Sequence, residues 1–167
     1  MQMLAAGGAD VLGEWPAYEP PEAMFGNRIL LQGKTAKMLD PHRDAIPFNG
    51  RVRAIWLTRT PREQAASQAK FGQILMGLPN DRRTRKAYER SYMRDWPKAR
   101  EVMRWWLDTD APVLAFEDMI RQPEEAAMGL CDALDLPALD IAKMAAAVRP
   151  RTPGCYAGLL EAEMIAA

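Results

Sequence analysis

The sequence is poor in the residues that hold disulfide frameworks and metal clusters: it has two cysteines and one histidine among 167 residues. Cys131 and Cys155 lie far apart, with no Cys-x-x-Cys or Cys/His spacing. Neither a disulfide framework nor a bound metal is expected, and the usage fits a reducing cytoplasm. No apolar run approaches the ~20 residues that a membrane-spanning helix needs. The first residues also lack the basic flank and apolar stretch of a secretory signal. Nor is there an excess of either charge, since 22 Lys and Arg face 22 Asp and Glu. A partner bound through a broad basic surface usually leaves a cationic excess. Neither nucleic acid nor membrane is therefore expected as a partner, although the balance leaves room for a local anion site. Apolar residues make up 49% of the chain, enough for a core. The length suits one domain over residues 1–167.

Met1 to Ala6 are helix formers that stop at Gly7-Gly8. Residues 9–27, rich in Pro, Gly and acids, read as loop. Arg28–Leu31 fits strand or short helix, and Lys34–Leu39 reads as a short extended element. The clearest strand is Val52–Leu57. Thr60 then stands as N-cap and Pro61 as first residue of a helix reaching about Met76. Leu78–Asp81 breaks that helix. Thr84–Asp108 is mostly helical and divided at Trp96-Pro97, with Asp95 as a cap. Pro112–Phe116 reads as a second buried strand, and Pro123–Leu134 and Ala138–Val148 as closing helices. This order is that of an α/β domain with parallel strands.

The most informative stretch joins the first strand to the next helix, Ile55-Trp56-Leu57-Thr58-Arg59-Thr60-Pro61. Ligands of open α/β sheets bind beyond the carboxyl ends of the strands. A helix N-terminus there offers free N–H groups and partial positive charge to an anion. Arg59 adds a guanidinium fork that suits phosphate oxygens. Thr60 and Ser67, seven residues apart, fall on one helical face, so Ser67 can turn its hydroxyl to the same phosphate. An isolated Arg-x-Pro more often marks only a surface ion pair. Two further segments change that weighing.

Arg59-Thr60-Pro61 with Ser67 resembles the second phosphate-binding signature of the sulfotransferase family, in which the Arg and Ser hold the 3′-phosphate of 3′-phosphoadenosine 5′-phosphosulfate. Val113 to Glu124 is similar to that family's strand, Glu-Asp-Leu and Pro-Glu helix start, here Glu117-Asp118-Met119 and Pro123-Glu124. Leu130 to Pro137 resembles the helix end that follows, and Trp105-Trp106-Leu107 its upstream Trp-Leu. The likeness spans about Ala54 to Pro137. Thr60 departs from the family's usual Asp or Asn but is an equally good cap. The resemblance implies a P-loop-NTPase-like three-layer sandwich with a short parallel sheet flanked by helices. It also implies sulfuryl transfer from that nucleotide, as co-substrate and without a metal, to a hydroxyl or amine on a small-molecule, glycan or peptide acceptor.

The family's other signature is a glycine-containing loop for the 5′-phosphosulfate, after the first strand. Gly33-Lys34-Thr35 is the nearest candidate. It lacks the upstream glycine spacing and a strand-to-helix setting, which also argues against a P-loop kinase relative. Met1 to Gly8 resembles instead the helix that follows the loop in bacterial members, and Gly13 to Pro20 their next loop. The expectation is thus a chain that starts after the first strand and P-loop, and that is weak or inactive in transfer. A gap in the sheet would favour self-association into a homo-oligomer. The alternative class is a non-catalytic nucleotide-binding or assembly module that retains the fold.

Sulfuryl transfer needs a base for the acceptor proton. His42 follows Lys37 in a pattern loosely similar to the family's, and branches with carboxylate bases point to Glu14 or Glu19. Lys34 or Lys37 would stabilise charge on the transferred group. Arg149 and Arg151 stand where the family's C-terminal segment adds a basic residue over the nucleotide. The plain alternatives are a loop histidine, solvated lysines and a solvated tail. Glu117-Asp118 reads as a structural turn. Tyr88, Tyr92 and Trp96 recur every four residues and read as helix packing, with an acceptor-pocket wall as the minority reading.

Overall fold

A computed structural model describes residues 1–14, 18, 32–38, 41–43 and 51–149. Among them the order is α1 (Gln2–Ala6), β1 (Trp56–Thr58), α2 (Pro61–Met76), α3 (Arg82–Leu107), β2 (Val113–Ala115), α4 (Phe116–Arg121), α5 (Pro123–Leu134) and α6 (Ile141–Ala146). The expected elements at Arg28–Leu31 and in most of the loop over 9–27 fall outside the described residues.

β1 and β2 form a two-stranded parallel sheet with Trp56 opposite Val113, Leu57 opposite Leu114 and Thr58 opposite Ala115. The α/β class with parallel strands is therefore present, in a small form. Parallel strands need a long crossover, and α2 and α3 supply it. The expected strand Val52–Leu57 shrinks to its carboxyl half, because β2 offers only three residues for pairing. Val113 and Leu57 are each 54% exposed, so this is not the buried pair that their apolar sequence suggests. Lys34–Met38 contributes only a parallel bridge between Thr35 and Val11.

Contacts divide the chain into two compact units. One takes in Met1–Thr58 and Ala99–Pro150, and the other is built on Arg59–Lys98. The first holds the core: Met3, Leu4, Ala126, Ala127, Leu130, Cys131 and Met144, from α1, α5 and α6. Gly7 lets α1 end hard against α6, since a Cβ there would lie 2.5 Å from Met144 Cγ. The Asp140 N–H donates to the Gly7 carbonyl at 3.0 Å, and Asp140 caps α6 by accepting from the Lys143 N–H at 3.0 Å. That cap starts α6 at Ile141 rather than at the expected Ala138. Cys131 is buried there, its Sγ 3.8 Å from Met144 Sδ. Burial pushes its thiol pKa up, which makes it a packing residue rather than a nucleophile.

In the second unit α2 spans the expected Pro61–Met76 and stops at Gly77, left-handed at φ +66. The Leu78 N–H reaches back to the Gly72 carbonyl at 3.1 Å, closing the last turn. Asp81 then caps α3 through a 2.7 Å bond from the Thr84 N–H. The hydrogen bonds from Thr84 hold its carboxyl below the usual range. Tyr88, Tyr92 and Trp96 are half-buried along α3.

Three expectations are corrected. α3 runs unbroken through Pro97. A proline removes one N–H and crowds the carbonyl four residues back, and here Ala99 and Met103 are buried and hold the following turns in register. Asp95 is no cap; its carboxylate gathers Arg94 at 2.9 Å and the Ser91 hydroxyl at 3.1 Å. Glu117-Asp118 is not a turn either, because both lie in the first turn of α4, where acids complement the helix dipole.

Candidate anion site at the start of helix α2

α2 starts at Pro61, which sets the backbone angle of its first turn. Along the chain from Arg59, the residues at plus four, seven, eight and eleven fall on one helical face. Arg59, Glu63, Ala66, Ser67 and Lys70 all line one open cleft of about 300 Å³. Asn80, from the turn after α2, and Arg85, from the first turns of α3, close its far side. Arg85 Nε donates to Asn80 Oδ1 at 2.8 Å, and Asn80 Nδ2 to Gln73 Oε1 at 3.1 Å. That relay fixes the Arg85 side chain at the cleft edge.

Three cationic side chains and one carboxylate therefore line the cleft. Arg59 is 28% exposed, with its Nε 3.6 Å from Glu63 Oε2. The cleft can take a compact dianion. Two guanidinium groups and an ammonium supply charge, and the Ser67 hydroxyl and Asn80 amide supply short polar groups.

The structure thus brings Arg59 and Ser67 together but leaves Thr60 out. Thr60 occupies the N-cap position without a side-chain cap bond, and it is exposed and does not line the cleft. Its extended backbone, φ −58 and ψ 133, takes it off the helical face that spacing alone assigns to it. Lys70, Arg85 and Asn80 were missed by the sequence reading. Lys70 had a signal, since it continues the same face one turn beyond Ser67. Arg85 and Asn80 reach the cleft only through the turn that follows Gly77.

The other candidates lie in the first unit or beyond the described residues. His42 sits in the turn Pro41–Arg43. Its Nδ1 is buried with no hydrogen-bond partner among the described residues. Glu14 is exposed, and its carbonyl accepts from the Tyr18 N–H at 2.7 Å. Lys34 pairs with Asp10. Arg149 is exposed after α6. Glu19 and Arg151 are outside the described residues. Among those residues no group of His, Cys, Asp or Glu could hold a metal ion, and no helix is long and apolar enough to cross a membrane.

Comparison with known proteins adds no relative: no family model, curated protein or solved structure matches the chain.

Proposed function

We propose that the cleft at the start of α2 binds the 3′-phosphate of 3′-phosphoadenosine 5′-phosphosulfate, in a sulfotransferase-like protein that passes the sulfuryl group to a hydroxyl or amine acceptor. The observation that carries this reading is the convergence of Arg59, which follows the parallel strand β1 directly in sequence, and Ser67, eight residues on, on one cationic cleft. A phosphate monoester carries close to two negative charges near neutral pH. It matches a cleft with three cations and a hydroxyl better than a singly charged carboxylate does. Arg59 and Arg85 offer forked donors, Lys70 a mobile ammonium, and Ser67 a short hydroxyl bond. The P-loop-like three-layer architecture is part of this proposal, and the parallel β1–β2 pair linked through helices is its support. In-line sulfuryl transfer itself needs only orientation and charge stabilisation, with a base for the acceptor proton.

Titration calorimetry with adenosine 3′,5′-bisphosphate tests the binding step. The intact chain should bind. Arg59→Ala should weaken binding about 10- to 100-fold, the worth of a charge-assisted hydrogen bond, and Ser67→Ala by less. No binding by the intact chain overturns the reading. Binding without sulfuryl transfer to any acceptor favours a nucleotide-binding module over an enzyme.

A further inference from the structure

The chain's zero net charge is an average over two unequal parts. Arg59–Lys98 holds ten of the 22 Lys and Arg but only four of the 22 Asp and Glu, and the rest of the chain carries the matching acidic excess. Most of this positive charge lies on α3. Arg82, Lys86, Arg90, Arg94 and Lys98 recur every fourth residue and are all exposed, an inclined row that covers about 24 Å of the helix axis at 1.5 Å per residue and winds about 40° per step. Arg83 widens the same face.

A merely solvated helix face pairs opposite charges three or four residues apart. This row does the reverse, because each of its members has a like charge as its neighbour along the helix. Among the described residues no ion pair joins a carboxylate to Arg82, Lys86 or Arg90, whereas Arg83 lies in the field of Asp81. Only Asp95 meets the row, at Arg94 and more loosely at Lys98. The row repels itself, and an external polyanion would relieve that repulsion.

We propose that this face of α3 is a sequence-independent docking surface for the phosphodiester backbone of a nucleic acid. About 24 Å of helix equals roughly seven base-pair rises of 3.4 Å along a duplex axis, long enough for about four of its cations to meet phosphates. Five of the seven cations at positions 82–98 are arginines, whose forks suit phosphate oxygens. A protein partner would want an apolar centre in the contact, and Met93 is the one exposed large hydrophobic in this stretch of α3. A membrane-surface helix needs a free apolar face to insert, whereas Tyr88, Tyr92 and Trp96 are half-buried. This surface is separate from the nucleotide reading of the cleft and does not depend on it.

Fluorescence anisotropy of the full chain with a short mixed-sequence DNA duplex and with RNA of equal length, across a salt series, tests the proposal. Both ligands, or one of them, should bind without sequence preference, with a log–log salt slope of about −3 to −4. A combined R82Q, K86Q and R90Q variant should remove about 3 from that slope and weaken binding roughly 10- to 100-fold at moderate salt. Circular dichroism of the variant confirms that α3 remains helical. The charge-preserving R90K should bind nearly as the parent does. Three results overturn the proposal: no binding of either nucleic acid at low salt, unchanged binding by a folded glutamine variant, or capture only of phosphatidylserine vesicles, heparin or a polyglutamate peptide.

Discussion

At Arg59, an incoming phosphate meets a carboxylate that is already present. Glu63 Oε2, in the first turn of α2, lies 3.6 Å from Arg59 Nε, so the pair must loosen before the guanidinium can turn to a ligand. A partly exposed pair without a hydrogen bond is worth on the order of 0.2–1 kcal/mol. Glu63→Gln should therefore tighten adenosine 3′,5′-bisphosphate binding about two- to fivefold, measured by the same calorimetry; weaker binding would mean that Glu63 positions Arg59. The Arg59–Ser67 pairing was readable because both residues sit on one local segment whose spacing survives folding. Arg85 was not readable, because its place depends on the tight stop at Gly77 and on a relay through Asn80. A second residue-scale prediction concerns Asp140. Its hydrogen bonds from Lys143 lower its pKa from 3.8 in the folded chain. A carboxyl with a depressed folded pKa adds stability above its unfolded pKa and loses it as pH falls through the folded one. Asp140→Ala should thus lower the thermal midpoint at neutral pH, and its gap from the parent should close as pH drops below about 3.8. A gap that persists in acid would assign the effect to packing.

At the scale of elements, the legible helices were those with backbone punctuation at both ends. α2 opens on Pro61 and closes on left-handed Gly77; α5 opens on Pro123 and closes on Asp135, left-handed at φ 56. Strand length was not legible, because it depends on what β2 can pair and not on the apolar run of Val52–Leu57. α3 shows the limit of the same punctuation, since Pro97 signals a break and the helix continues through it. A proline in a helix interior costs about 3 kcal/mol relative to alanine. If that cost is borne here, Pro97→Ala should stabilise the chain by up to about 3 kcal/mol with unchanged helical content, by denaturant unfolding and circular dichroism. A loss of stability would mean that the Pro97 ring is needed by the packing around it.

At the scale of the whole molecule, one unit is a core assembled from distant segments and the other is built on one continuous segment. Met144 is fully buried, and the unit it serves joins residues 1–58 to residues 99–150. α1 joins that core through Met3 and Leu4, and at Gly7 it meets Met144 with no room even for a methyl group. Such joins are invisible in a linear reading, whereas the Arg59–Lys98 unit is continuous and its helices announce themselves. Met144→Ala should cost about 2–5 kcal/mol through the lost transfer term and the cavity left behind. Met144 belongs to the core of α1, α5 and α6 and not to the Arg59–Lys98 unit. Hydrogen exchange in Met144→Ala should therefore rise first in α1, α5 and α6, with the amides of α2 keeping more of their protection. Equal loss of protection in α2 would show that the two units open as one cooperative structure, and that the anion cleft depends on a core with which it shares no residue.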